Sequence, residues 1–103
     1  MATWRPITAD ALEQIVERQL AVCEVAQQQA FRQLSTALRA VPIVRSGNVE
    51  SVFVVAQCGN EVLYYEDVEE GFNLSQLDSN GGIASPGFEQ WELCHALHHW
   101  LGA

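Results

Sequence analysis

Two histidines four residues apart, His95 and His99, form the sharpest chemical arrangement in the sequence. On a helix this spacing puts both imidazoles on one face, where they can meet one metal ion, and Glu92, three residues before His95, can add a carboxylate. The segment does not read H-E-x-x-H, however, and no second segment offers an obvious remaining ligand. Histidines in a last helical turn are also favoured by the helix dipole alone. The expectation is a solvated face with no metal and no other cofactor, and Glu92, His95 and His99 stay as the outside metal candidate. His98 borders the neighbouring apolar arc and is expected to pack.

The loop that starts at Asp78 offers a second arrangement. Asp78, Asn80 and Glu89 fall at the first, third and twelfth positions of a calcium loop. Ile83 stands where the turn-forming glycine is needed, Gly82 has no side chain at the fifth position, and Pro86 occupies the ninth. This segment reads as a turn-rich connection. The three cysteines, Cys23, Cys58 and Cys94, are odd in number, widely spaced and lack a C-x-x-C pair. That pattern predicts free thiols, mostly buried, with neither a disulfide framework nor a zinc site. Cys94 and His98 share a helix face, but a thiol turned into an apolar arc is inert. There is no G-x-S-x-G elbow and no P-loop, so no motif for nucleophilic catalysis or phosphate binding is present. Carboxylate pairs, common to any acidic chain, do not single out a hydrolase.

The remaining constellation is Glu66-Asp67-Val68-Glu69-Glu70, followed by Gly71-Phe72. Read as a solvated strand end, the run discourages edge pairing. Read functionally, Glu66, Asp67, Glu69 and Glu70 form a negative docking patch with Phe72 as its aromatic anchor, suited to an Arg- or Lys-rich protein. Overall charge is compatible with the second reading, although an acidic balance often serves solubility alone. Thirteen acids face five bases, all Arg, for a net charge of −8. Such a surface repels phosphate backbones and offers no basic stripe for a strand, so nucleic acid is excluded as a partner. The expected function is a non-enzymatic interaction module of the inhibitor, immunity-protein or adaptor kind, with a basic protein partner. A small metal-binding or enzymatic domain built on the helix histidines is the alternative.

Elements must position these residues. Pro6 and Thr8 precede a helical stripe that runs through Leu12, Ile15, Val16, Cys23, Ala26, Ala30, Phe31, Leu34 and Leu38. Pro42 is expected to stop it. One rod over residues 9–40 would extend about 48 Å at a rise of ~1.5 Å per residue, too long for a domain with a radius of gyration of about 13 Å. Val22-Cys23-Glu24-Val25 has the weakest helical propensity, so two helices meeting there are favoured over one. Two Gly-Asn pairs, Gly47-Asn48 and Gly59-Asn60, sit between β-branched runs and predict hairpins. Their register would place Arg45 opposite Glu50, Val55 opposite Tyr64, Val54 opposite Tyr65 and Ala56 opposite Leu63. Both faces of the second hairpin are then apolar, and one needs cover from the C-terminal helix, from the 71–87 loop or from another chain. A short strand is expected at Phe72-Asn73-Leu74. Phe88–Leu101 reads as an amphipathic helix, ended by Gly102.

The expected architecture is α+β: one long or two shorter N-terminal helices, a three- to four-stranded antiparallel meander, and a C-terminal amphipathic helix. A chain of 103 residues fits one domain, 1–103. No run approaches the ~18 apolar residues of a membrane span, and Met1 to Pro6 carry no apolar core of a secretory signal. The cytoplasm is the expected compartment. Apolar surface on both sheet faces, with the long N-terminal helical stripe, motivates an expectation of a homodimer.

Overall fold

A computed structural model of the chain describes residues 7–67, 70–87 and 89–102. Helix α1 (Ala9–Ala21) begins where the Thr8 hydroxyl accepts the Ala11 N–H at 3.1 Å, with Asp10 in the first turn. The chain breaks at Val22-Cys23-Glu24, and α2 (Val25–Leu34) restarts there, the Glu24 N–H donating to Gln27 Oε1 at 3.0 Å. The expected pair of helices is present. Its end is not where periodicity placed it: α2 stops at Leu34, and strand β1 (Ser35–Arg45) follows at once. Leu38 reaches the same core as Leu34, but from a strand. A step of four residues keeps one face in a helix and in a strand alike, so that spacing did not separate the two.

Pro42 therefore does not end a helix. It lies inside β1, an edge strand of the four-stranded sheet β1-β2-β3-β4, opposite Ser51 of β2 (Asn48–Cys58). An edge tolerates proline because its nitrogen owes no ladder hydrogen bond. The Pro42 carbonyl instead accepts the Ile83 N–H at 2.8 Å, and the Val44 N–H donates to the Ile83 carbonyl at 3.0 Å.

All neighbouring strands are antiparallel, with β3 (Glu61–Glu66) and β4 (Gly71–Gln76) completing the meander. The first turn falls one residue earlier than expected. Ser46 and Gly47 occupy it, with φ of 51° and 79°, so Arg45 faces Asn48, and Glu50 faces Ile43. At the second turn Gly59 takes φ 62°, and Ala56 faces Leu63 as expected. Beyond it the ladder shifts: Tyr64 faces Val54 and Tyr65 faces Phe53, leaving Val55 as the extra residue of a bulge.

Each sheet face has its own core. One packs Leu12, Phe31, Val55, Leu63, Tyr65 and Phe72 with the helices, including Leu93, Ala96 and Leu97 of α3 (Leu93–Leu101). The other gathers Val41, Ile43, Val52, Val54, Val62 and Tyr64 beneath Ile83. The 71–87 segment thus supplies the cover this face needed. Helix α3 begins five residues later than expected, because Trp91 is extended and pairs with Phe72 through reciprocal backbone bonds of 2.8 and 3.0 Å. Gly102 closes it at φ 71°. Cys23 and Cys94 are not free thiols. They are disulfide-bonded, with Cα atoms 5.4 Å apart, while Cys58 is a free, exposed cysteine. Their 71-residue separation hid a pairing that the fold creates.

Candidate docking groove

The acidic run does not form one exposed patch. Glu66 alternates with Val62 and Tyr64 along β3, so it points into the second sheet face and is only 3% exposed. There Arg45, reaching across β2, donates from Nη2 to Glu66 Oε2. This pairing lifts the Arg45 pKa above its ordinary value, burial opposing it, with Glu50 and Tyr64 adding to the rise. Phe72 is fully buried, edge-on to Tyr65 at 5.1 Å, and cannot anchor a partner from the surface. Asp67 is half-buried and accepts the Ile7 N–H at 2.9 Å. Glu70 is exposed, at φ 56°. Glu69 lies outside the described residues.

The histidine candidate lies on α3 and its N-cap. His95 and Glu92 are exposed, and His99 stacks on Trp91 with ring centres 4.5 Å apart. No group of three or more potential ligands that could hold a metal occurs among the described residues. His98 is exposed, not packed as expected. In the 78–82 loop, Asp78 Oδ1 accepts the Asn80 and Gly82 N–H groups at 2.9 and 3.0 Å, the bonds of an Asx-type turn. The Glu89 N–H meanwhile binds Asn73 Oδ1 at 2.8 Å. Asn73 is fully buried, and its Nδ2, like Glu66 Oε1, has no hydrogen-bond partner among the described residues.

What the fold does assemble is a groove where α1 passes the first residues of β1. Val16, Phe31, Leu38 and Val55 give it apolar walls, Ser35, Thr36 and Ala37 line one side, and Glu13 and Glu17 stand on the rim. Its volume is about 250 Å³, less than the ~300 Å³ at which small-molecule pockets begin, so it suits a side chain better than a whole ligand. The irregular ladder opens it. Ser35 faces Ala56 and Arg39 faces Val54, so Thr36, Ala37 and Leu38 all lie against the bulged Val55. Outside the Ile83 bridge, no described residue pairs along the outer edge of β1.

Glu13 and Glu17 are exposed, one helical turn apart, and neither has an ion-pair partner among the described residues. An apolar floor capped by two carboxylates matches the long stem and cationic head of Lys or Arg. A wider recess of about 370 Å³ lies between Gln76, Leu77, Asp78, Ala84 and Ser85, but Asp78 is its one charged group and already serves its own loop. Sequence reasoning missed the groove because it placed residues 35–40 in a helix. The sequence signal was two acids flanking the Val16 stripe, and it carries meaning only once β1 lies beside them.

Compared with known proteins, the chain matches no family model, no curated protein and no solved structure.

Proposed function

We propose that this protein is a non-enzymatic interaction module that docks a basic segment of a protein partner in the α1–β1 groove. The observation that supports it is the joining of an apolar floor, two unpaired carboxylates and an open strand edge in one place. An extended partner segment would add to the outer edge of β1, as in strand-addition recognition. A Lys or Arg of that segment would lay its stem on Val16, Leu38 and Val55 and bring its charge to Glu13 and Glu17. The net charge of −8 would steer the approach. The exposed Glu70 adds to that field, whereas Glu66 and Phe72 serve the fold.

Self-association is a weaker proposal. Both sheet faces that motivated it are covered, one by the helices and the other beneath Ile83. A cytoplasmic location fits only if the Cys23–Cys94 bond is transient, because cytosolic thiols are kept reduced. The reading is tested by titrating the acetylated, amidated pentapeptide Val-Lys-Val-Lys-Val calorimetrically. Binding should weaken as salt rises and should fall at least tenfold in the E13Q/E17Q double variant. Equal affinity of wild type and variant would reject the groove.

A further inference from the structure

Cys23 sits in the break between α1 and α2, and Cys94 sits in the first turn of α3. The bond between them ties the α1–α2 joint to the first turn of α3, 71 residues further along the chain. Three features of this joint bear on what the bond does. Both sulfurs lie against one backbone carbonyl, Gln19 O, at 3.3 Å from Cys23 Sγ and 3.7 Å from Cys94 Sγ. If the bond opens, the two new S–H groups find an acceptor already in place. Polar ties join the same elements beside it: the Leu93 N–H donates to Gln19 Oε1 at 2.7 Å, and Gln27 Nε2 donates to the Cys94 carbonyl at 3.2 Å. Finally, Cys23 belongs to the helix-facing core alone, while the core under Ile83 contains no helical residue.

We propose that the Cys23–Cys94 disulfide is a reversible redox lock on the helical layer, opened by a dithiol while the opposite sheet face stays folded. Cys94 is the more exposed partner, Cys23 being only 7% exposed, so the attacking thiolate bonds to Cys94 Sγ. The Cys23–Cys94 bond breaks, and Cys23 leaves as a thiolate that takes up a proton. The reductant's second thiol then closes on its own first sulfur and releases Cys94 as a thiol. The protein gains two electrons and two protons, and the dithiol becomes a disulfide. Helix α1 carries Glu13, Val16 and Glu17 of the groove, and α2 carries Phe31. Opening the lock therefore loosens the groove, a consequence that rests on the function proposed above.

The test compares oxidised protein with the same protein held in millimolar dithiothreitol at pH 7, and with C23S/C94S. Alkylation should count one thiol, Cys58, before reduction and three after it. Amide exchange should rise at least tenfold in 9–34 and 93–101, with Val41, Ile43, Val54, Val62 and Tyr64 unchanged, and reoxidation should restore the first pattern. The double serine variant should show the reduced pattern with or without dithiol. Three results would each overturn the lock: a bond that resists native-state reduction, exchange that does not change, or exchange that rises equally on both faces. Affinity for the Val-Lys-Val-Lys-Val peptide should fall severalfold on reduction. A peptide that fails to bind even the oxidised protein rejects the groove, while the exchange pattern still decides the lock.

Discussion

Arg45 and Glu66 are the charges on which the second sheet face depends. The carboxylate side chain is 4% exposed and the guanidinium side chain 24%, so removing the arginine leaves a buried charge with no counterion. Loss of one partner of a buried pair costs about 3–5 kcal/mol, and the part-exposed Arg45 puts this pair at the lower end. R45M should destabilise the protein by about 3 kcal/mol in urea titrations, and R45M/E66L should recover much of that loss. A second residue-scale expectation concerns Tyr65, which is 6% exposed. Burial first, then Glu70 and Asp67, raise its pKa, with Arg18 opposing. The unfolded chain releases this proton near pH ~10, the folded one only above that. The stabilisation is therefore complete below pH ~10 and is lost as pH climbs through the raised folded value. Melting temperature should fall on that alkaline side, and Y65F should fall less steeply. Glu66 itself was half legible in the sequence. Its alternation with Val62 and Tyr64 marks the buried face, but the neighbouring acids suggested solvent, and no local pattern announces Arg45 from another strand.

At the scale of elements, some turns and breaks were legible, while Pro42 and the first hairpin turn were misplaced. Gly59 and Gly102 sit at positive φ where the sequence placed them, and the weak Val22-Cys23-Glu24 stretch does separate two helices. The bulge at Val55 and the helix-to-strand change at Ser35 were not legible, because both are decided by which layer each residue meets. The extended segment before α3 was hidden for the same reason, since Trp91 is held by the backbone of Phe72. Gly71 records that contact. A Cβ there would lie 2.5 Å from Gln90 Cα, so G71A should force the segment off β4. We expect a loss of roughly 2–3 kcal/mol, as for overpacking, together with faster amide exchange at Phe72 and Trp91. G81A serves as the control, because nothing lies within 4 Å of its Cβ, although its φ of 79° carries its own smaller cost.

For the whole molecule, charge and topology act together. The class, the meander and the need to cover both sheet faces were legible from composition and turn chemistry. The groove was not, because it arises where α1, α2 and an irregular β1 meet. An acidic molecule with a radius of gyration of 13.2 Å attracts basic partners from any side, so the net charge alone locates no site. Under the proposed function the groove would localise the encounter, since it joins apolar area and an open strand edge to two carboxylates. The most direct measurement is a map of backbone amide chemical shifts during titration with the Val-Lys-Val-Lys-Val peptide. Saturable shifts are expected at Glu13, Glu17, Phe31, Thr36, Ala37, Leu38 and Val55, with Glu70 and the histidine face of α3 unmoved. Shifts centred on Glu70 and Asp67, with residues 36–38 silent, would contradict docking in the groove.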